Sequence, residues 1–415
     1  RWDYEQAYSA DGGTYIKLNN FWDNLAPRLG LIWDFTGKGK GKLFANYATF
    51  IQTPIPLDVN VRAAGGDSQT DKNFNVNKYG APAGSIVIPG IRGDLGVGAV
   101  NLGAGATPID AGLKPPSIGE YSMGLEYEIA RDLALGVRGI YRHERNVIED
   151  GSFDDGDNYF LFNPGRNEPG TTERLACDNP AIGCFGRAQR FYRAVEFTAT
   201  KRFTNNYQFI ASYVYSGLTG NYEGLFRNDN GQSDPNITSL FDLVSLLANS
   251  YGRLPNDRPH QFKFNGSYRT PFKLLISGNF YMQSGTPFNQ LIPHPVYGNN
   301  EGFGVTRGTA TVPTVTAVQA GFPNVVDSIG THRTPTTMNL DMGFYYPIKV
   351  GEGKELRLTG DWFNVFNTQR AITLDQTFSI NSGVTGVPPV ANPFYGAALL
   401  VQAPSSFRFG AKFTF

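Results

Sequence analysis

Residues 408–415 read Arg-Phe-Gly-Ala-Lys-Phe-Thr-Phe, an alternation of aromatic and polar side chains that narrows the choice of fold. Successive side chains of a β-strand point to opposite faces. One face would therefore carry the apolar residues Phe409, Ala411, Phe413 and Phe415, and the other Arg408, Gly410, Lys412 and Thr414. An apolar face backed by charged and small residues is typical of a strand between lipid and a wet interior. The octapeptide alone also fits an amphipathic edge strand of a soluble sheet.

The composition limits the class of protein. The chain has 415 residues, of which 17% are charged and 13% aromatic, and its 36 basic residues balance its 36 acidic ones. A net charge of zero argues against a nucleic-acid partner, which usually requires a basic surface. No run of 18 apolar residues occurs, so the sequence holds no candidate for a transmembrane helix. A transmembrane β-strand needs only about ten alternating residues, which hydropathy averaging hides.

Alternating segments recur along the whole chain. In residues 117–130, for example, Tyr121 and Met123 share one face, whereas Glu120 and Glu126 share the other. Such a period of two predicts antiparallel strands with one apolar face. About twelve strands are predicted, at residues 1–8, 24–36, 42–52, 117–130, 133–148, 188–203, 207–220, 257–270, 273–284, 335–349, 354–370 and 405–415.

The connections between these strands alternate strictly in length. The short ones are predicted at residues 37–41, 131–132, 204–206, 271–272 and 350–353. The long ones are predicted at residues 53–116, 149–187, 221–256, 285–334 and 371–404. Short turns on one side and long loops on the other are the arrangement of outer-membrane barrels, with the turns in the periplasm and the loops outside the cell. A 64-residue loop would be unusual inside a compact soluble domain.

One long loop contains a candidate helix. Asp234 and Pro235 are suited to a helix cap and first turn, and they precede apolar residues at helical spacing. Those apolar residues are Ile237, Leu240, Phe241, Val244, Leu247 and Ala248. We expect this helix to pack on other loops as a lid, rather than to act as a mobile gate.

The two cysteines, Cys177 and Cys184, lie close together in a polar stretch. In an oxidising compartment they would close a small loop, so we predict a disulfide between them. The chain opens on Arg-Trp-Asp-Tyr-Glu without a signal peptide and already reads as the second half of a strand. We therefore expect the sequence to be a mature fragment of a longer chain.

Residues 408–415 also resemble the C-terminal assembly signal of bacterial outer-membrane barrels, in which a polar residue is followed by a glycine and two aromatic residues. Arg408, Gly410, Phe413 and Phe415 fill the four specified positions. The resemblance implies a location in the outer membrane of a Gram-negative bacterium. It also implies two partners, the outer-membrane lipid and the barrel-assembly machinery.

Motifs in the second half of the chain resemble those of TonB-dependent outer-membrane receptors, in particular the Oar-like branch. Residues 257–262 (DRPHQF) and 284–288 (SGTPF) are similar to the "DRxH…SGxP" strand pair. Leu340-Asp341 and residues 363–367 (FNVFN) resemble the penultimate "D-x-FNxFN" hairpin, and residues 24–30 (NLAPRLG) resemble the "xxPRLG" strand. Residues 201–203 (KRF), followed by 211–213 (ASY), resemble a further family hairpin. Each motif is weak alone, and their order along the chain makes the match specific.

The resemblance implies a transmembrane antiparallel β-barrel of 22 strands, occluded by a plug domain. We therefore expect residues 1–415 to form one outer-membrane β-barrel domain, the C-terminal portion of such a receptor, with about twelve strands. The plug and the first strands have no counterpart in this sequence. The implied function is capture of an unknown ligand by the extracellular loops and its import, powered through the plug by an energy-coupling protein.

Catalytic and metal-binding patterns are sparse, so no enzyme activity, catalytic residue, cofactor or metal is predicted. The four histidines are far apart and none has metal-ligand spacing: His143, His260, His294 and His332. His260 is interpreted as a structural residue at the rim. Residues 149–157 are acidic without the spacing of a calcium-binding loop, and are interpreted as a solvated loop tip. Whether they bind calcium stays open.

The charged side chains on the polar faces of the predicted strands mix both signs. They are Glu120, Glu126, Glu128, Arg138, Arg142, Glu196, Lys263, Arg269, Asp341, Glu355, Arg357, Asp361, Arg408 and Lys412. An empty ion-selective pore would favour one sign, whereas mixed signs suit pairing across strands and against a plug. Two further functions stay open. One is a self-contained twelve-stranded barrel, either a porin or a lipid-active enzyme, and the other is a surface protein for adhesion or secretion without uptake.

Overall fold

The computed structural model is dominated by one large antiparallel sheet. It describes residues 1–3, 5–8, 14–52, 68–69, 100–101, 109–154, 156, 158–231, 238–293, 302–310, 333–380 and 390–415. The eleven long strands of the sheet are β1 (Arg28–Trp33), β2 (Gly41–Ile51), β3 (Ser117–Ala130), β4 (Leu133–Arg145), β5 (Arg190–Thr204), β6 (Tyr207–Gly220), β7 (His260–Arg269), β8 (Leu275–Gln283), β9 (Thr337–Gly351), β10 (Lys354–Phe363) and β11 (Ser406–Thr414).

Each long strand pairs antiparallel with the next long strand in the chain, from β1 to β11, so the sheet is a simple meander. The two-residue strand Gly252–Arg253 adds a twelfth member by pairing with the end of β6. Within the described residues, β1 and β11 are the two edges and do not pair with each other. The sheet is therefore open in this part of the chain, and the expected total of 22 strands stays a prediction.

The two faces of the sheet differ sharply, as the alternation predicts. In the register, Met123 lies opposite Gly139, and Leu125 opposite Val137, on a face of large apolar side chains. Met123 is 68% exposed and Phe409 is 82% exposed. We call this the apolar face, and the opposite side, which carries Glu126 and Arg408, the polar face. An exposed apolar surface of this extent indicates contact with lipid.

The short connections all lie at one end of the sheet, which we call the turn end, and the long ones lie at the opposite loop end. The turns are tight because their residues adopt positive φ angles. Asn205 and Asn206 have φ values of 53° and 69°, and Asp132 has 64°. Asparagine and aspartate tolerate this left-handed region, and two-residue turns of this type match the twist of paired strands. The predicted segregation of loop length is confirmed.

Two predicted strands differ from the structure, one in the strand that it pairs with and the other in the residue at which it ends. The segment predicted at residues 1–8 is not part of the large sheet; Glu5–Tyr8 instead pairs with Thr14–Leu18 in a separate hairpin. The strand predicted to end at residue 370 stops at Phe363 because the next residue, Asn364, turns the chain with a positive φ of 46°. The Asn364 side chain then holds the turn by donating to the carbonyl groups of Thr368 and Ala403.

The helix predicted around residues 234–248 is wrong as a continuous element. The structure has two short 3₁₀ turns there, Ser239–Phe241 and Val244–Leu247, while residues 234–237 lie outside the described residues. Among the described residues the structure contains an α-helix, α1 (Thr172–Asp178), that was not predicted from the sequence. Within the described part of the chain, no helix combines the length and apolar character that crossing a membrane requires.

The buried core lies among the loops rather than within the sheet. Four apolar clusters pack at the loop end, and they join segments from different long connections. Short strand pairs add order there, and they are Glu149–Ser152 with Tyr159–Phe162, Leu291–Ile292 with Gly302–Phe303, Ala371–Leu374 with Ala398–Val401, and Ser379–Ile380 with Val390–Ala391. Ser68–Gln69 also pairs with Val100–Asn101. We call the packed loop segments that contribute to the four clusters the loop layer.

Candidate ligand-binding site at the loop end of the sheet

The loop layer is built around a buried cluster of four charged side chains. Arg227, Arg307 and Asp229 are fully buried, and Glu223 is nearly so. Arg307 forms ion pairs with Glu223 and with Asp229, the latter at 3.1 Å, and Arg227 donates to the other oxygen of Asp229 at 2.9 Å. Two positive and two negative charges balance, which reduces the cost of removing them from water. We call these residues the ion cluster.

The ion cluster links two long loops. Both of its guanidinium groups lie 5.0 Å from the ring centre of Phe303, where cation–π attraction adds to the ion pairs. Asn289 donates to Asp229 at 2.9 Å. Burial lowers the pKa of Arg307 to about 9, which still leaves the guanidinium charged at neutral pH. The connections that follow β6 and β8 are therefore held together by charge as well as by apolar packing.

A second polar centre joins the loop layer to the sheet. The buried carboxylate of Asp257 accepts a hydrogen bond from the backbone N–H of Leu218, near the end of β6, at 2.6 Å. It also pairs with Arg253 at 3.1 Å and with Arg333. The predicted family motif at residues 257–262 thus begins with the residue that anchors three segments. His260 lies on the rim and bonds the Tyr213 hydroxyl through Nδ1 at 2.8 Å.

The loop between β4 and β5 carries both α1 and the cysteine pair. The structure contains the disulfide between Cys177 and Cys184. Asp110, from the preceding loop, caps α1 by accepting from the backbone N–H groups of Thr172 and Glu173 at 2.6 and 3.3 Å. Burial raises the pKa of Asp110 and of Glu173. The helix therefore ties two loops together through its first turn.

The acidic segment at residues 149–157 is only partly the solvated tip that its composition suggested. Glu149–Ser152 is a buried strand, in which Glu149 is 0% and Asp150 is 1% exposed. The Glu149 carboxylate accepts from the backbone N–H of Thr238 at 2.7 Å. Burial raises its pKa well above the usual range, and the nearby Asp150 and Asp242 act in the same direction. Asp155 and Asp157 lie outside the described residues.

A cavity lies where the loop layer meets the polar face of the sheet. Its volume is about 510 Å³, and we call it the junction cavity. One wall comes from sheet residues, including Ile118, Glu144 and Arg190, and the other from loop residues such as Tyr222 and Phe226. A smaller cavity of about 240 Å³ shares the sheet wall and extends along the polar face. A ligand held by the loops would therefore reach the polar face directly.

The junction cavity offers an acidic group, a basic group and aromatic surface to a ligand. Glu144 and Arg190 form an ion pair of 3.0 Å whose side chains are 16% and 26% exposed. Within the described residues, Oε2 of Glu144 and Nε of Arg190 are buried and have no hydrogen-bond partner. Phe226 is 45% exposed. A small ligand with a charged group and a ring can be recognised by this combination of side chains.

Several of the charges predicted on the polar face form ion pairs between neighbouring strands. Lys42 pairs with Glu126 at 2.9 Å, and Arg138 with Glu196 at 2.5 Å. Arg142 pairs with Glu120. In these pairs, charges of opposite sign neutralise each other locally.

The residues of the predicted assembly signal all lie on β11 or directly after it. Arg408 pairs with Asp361 on β10 at 2.8 Å, on the polar face. Gly410 lies opposite Thr359, and a side-chain carbon at this glycine would come within 2.7 Å of the threonine hydroxyl. Phe413 and Phe415 are exposed on the apolar face, at 49% and 91%. Their role in assembly stays a prediction.

No described group of three histidine, cysteine or acidic side chains is placed to hold a metal ion. His143 stacks with Tyr141, and His260 stacks with Tyr213. His294 and His332 lie outside the described residues.

Comparison with known proteins adds the family to this geometry. Residues 7–386 match the sequence family described as "Outer membrane beta barrel domain". The chain belongs to this family. The bacterial outer membrane is its location, and the lipid-facing role of the apolar face follows from it.

This outer-membrane β-barrel chain is 28% identical to the TonB-dependent transporter Oar of Myxococcus xanthus. The alignment extends over 468 residues and covers all of this chain and 40% of the relative. It confirms the resemblance drawn from the sequence motifs. The chain thus spans less than half the length of the curated relative that it matches.

Among solved structures, the FrpB iron transporter from Neisseria meningitidis matches with a TM-score of 0.49 and 11% identity. That match covers 98% of this chain and 41% of the transporter. The outer membrane transporter YddB from Escherichia coli matches with a TM-score of 0.48 and 12% identity, over 94% of this chain and 40% of the other.

Sequence reasoning missed the ion cluster and the junction cavity. Arg227 and Arg307 are single arginines in polar loops and look like solvent-exposed residues in the sequence. The only local signal is the short spacing of Glu223, Arg227 and Asp229, which favours mutual contact but does not indicate burial. Their burial becomes visible only when distant loops pack together.

Proposed function

We propose that this chain is the ligand-capturing barrel portion of a TonB-dependent outer-membrane transporter. The observation that carries the proposal is the packed loop layer above a cavity that opens along the polar face. The similarity to a transporter over the whole chain supports it. A role in transport, rather than in catalysis, is the corresponding expectation for this domain.

Capture would begin at the loop layer, which is already ordered by its apolar clusters and by the ion cluster. A preformed binding surface loses less conformational entropy on binding than a flexible one. The ligand would then occupy the junction cavity, where Glu144 and Arg190 present opposite charges. Tyr222 and Phe226 would supply aromatic contact from the loop side.

Import would require partners that lie outside this chain. We propose a plug domain against the polar face, where the paired charges leave a hydrated, nearly neutral surface for a polar partner. The energy-coupling protein would act on that plug. We place residues 1–415 in the C-terminal portion of the barrel, where β1 and β11, the edges of the described sheet, would pair with further strands.

The proposal can be tested with the full-length protein in its own cells. Growth on candidate ligands and uptake of the labelled ligand are measured with and without the energy-coupling protein. Uptake should be lost without the coupling protein, while ligand binding to whole cells should persist. Binding and a surface phenotype that are both independent of coupling would point to adhesion or secretion. Passive uptake that persists without the coupling protein would point to a porin.

A single substitution tests the contribution of the junction cavity to ligand binding. Arg190→Ala removes the basic group of the junction cavity and should weaken ligand binding by roughly tenfold to a hundredfold, because a charged hydrogen bond contributes about 1.5–3 kcal/mol. Arg131→Ala is the matched control, since this arginine lies at the turn end with a side chain that is 95% exposed. Equal affinity of the two variants would contradict a ligand site at the junction cavity.

A further inference from the structure

A further cavity lies on the apolar face, away from the proposed ligand site. Its volume is about 670 Å³, and its lining combines apolar side chains with two arginines. It spans strands β2 to β6 near the loop end. Because the long loops of such barrels face outward, this position corresponds to the outer leaflet of the membrane.

Two glycines create this cavity. Across the sheet, Met123, Gly139 and Val195 lie in one row, and Gly139 leaves a gap between its large neighbours. A side-chain carbon at Gly139 would have no atom closer than 3.9 Å, so the gap is open. One step nearer the loop end, Gly217 lies opposite Arg193. The missing side chain of Gly217 leaves room for Arg253, whose Nη1 would lie 3.7 Å from a side-chain carbon at this glycine.

Aromatic side chains flank the gap at the level of Arg193. In the register, Tyr121 lies opposite Tyr141, and Tyr141 lies opposite Arg193. The Arg193 guanidinium lies 5.8 Å from the ring centre of Tyr141. Tyrosine rings at this level are typical of the boundary between hydrocarbon and headgroups. The guanidinium therefore lies where lipid headgroups meet the protein.

The charge on this side of the sheet is of one sign. The strand residues on the apolar face include Arg145 and Arg193 near the loop end, and none of the described strand residues on that face is acidic. Arg253 shares its charge with Asp257, whereas no described ion pair neutralises Arg193. An arginine on an apolar surface needs a counter-ion, and the planar guanidinium fits a phosphate group especially well.

We propose that this cavity is a specific binding site for a phosphate-bearing lipid of the outer leaflet. An acyl chain would lie in the gap over Gly139, between Met123 and Val195. The headgroup phosphate would accept hydrogen bonds from Arg193 and Arg253. The site would recognise both the acyl chain and the phosphate of the lipid. The apolar gap selects a lipid over free phosphate, and the arginines select an anionic headgroup over a neutral one.

The test measures lipid binding to the intact protein in detergent by native mass spectrometry. Diphosphoryl lipid A is the probe, monophosphoryl lipid A is its matched comparison, and inorganic phosphate is the competitor. Arg193→Gln should weaken binding of the diphosphoryl lipid by about fivefold, the effect of one basic group near an anionic surface. Binding of monophosphoryl lipid A should weaken less than binding of the diphosphoryl form. Inorganic phosphate should not displace either lipid.

A second variant probes the apolar part of the site. Gly139→Leu fills the gap and should displace both lipids alike, whereas Arg131→Gln at the turn end should displace neither. Heat-modifiable gel mobility shows that each variant is folded, and the Arg193→Gln result decides the matter if Gly139→Leu does not fold. Unchanged binding of diphosphoryl lipid A to Arg193→Gln, or equal loss in Arg131→Gln, would show non-specific annular lipid and overturn the proposal.

Discussion

Replacement of Arg307 by methionine should loosen the loop layer without unfolding the sheet. The side chain is fully buried, and its removal leaves Glu223 and Asp229 with Arg227 as their remaining described basic partner. A buried carboxylate that loses its partner typically costs about 3–5 kcal/mol. Methionine keeps an apolar chain of similar length, so the expected loss comes from charge rather than from an empty cavity.

Hydrogen exchange measures this loss locally. An opening free energy lower by about 3–5 kcal/mol raises the exchange rate of the affected amides roughly a hundredfold to several thousandfold. The affected peptides should include residues 221–231 and 302–310, whereas peptides from β5 should keep their protection. Arg174→Met is the matched control, because its ion pair with Asp178 has side chains that are 45% and 59% exposed. Such an exposed pair contributes about 1 kcal/mol at most.

A double variant distinguishes charge imbalance from other damage. Glu223→Gln combined with Arg307→Met leaves Arg227 and Asp229 as a balanced pair and should recover most of the lost protection. The reasoning would be refuted by unchanged exchange in Arg307→Met. It would equally be refuted by a double variant that is no more protected than the single one.

Three further predictions concern assembly, the disulfide and pH. Phe415→Ser should reduce the amount of folded protein in the outer membrane but should not impair refolding in detergent, because Phe415 is 91% exposed and has little packing to lose. Phe409→Ser is the control, since Phe409 is 82% exposed on the same face. An equal loss of folded protein in both variants would contradict a specific assembly signal. Replacement of Cys177 and Cys184 by alanine should destabilise the segment around α1 by about 2 kcal/mol, the loop-closure entropy for a separation of 7 residues, and proteolysis of residues 165–189 should then accelerate. Glu149→Gln should increase protection of the loop layer at neutral pH, because burial raises the pKa of Glu149 and its ionisation therefore opposes folding as the pH rises. This gain should vanish below pH 4.5, the ordinary pKa of the group, where the wild-type carboxyl is protonated in both the folded and the unfolded state.

The strands, their faces and their order were predictable because the physical signals are local. A period of two in the side chains assigns each strand to a sheet and divides its faces, as in β3 and β4. Turn residues such as Asn205 and Asn206 mark where one strand ends and the next begins. The same locality explains why residues 1–8 were wrongly assigned to the large sheet. Their side chains alternate between two faces in any strand, so the pattern does not show whether the segment pairs with the large sheet or with residues 14–18.

The loop layer was not predictable, because its contacts join residues that are far apart in the chain. Arg307 and Glu223 are separated by 84 residues, and Glu149 and Thr238 by 89. No periodicity or spacing in the sequence connects such residues, and the sequence does not distinguish a buried arginine from an exposed one. Side-chain periodicity along the chain is enough to establish a membrane sheet with its long loops at one end. The packing of those loops into a common core is visible only in the folded structure, because burial and charge pairing depend on which distant segments meet.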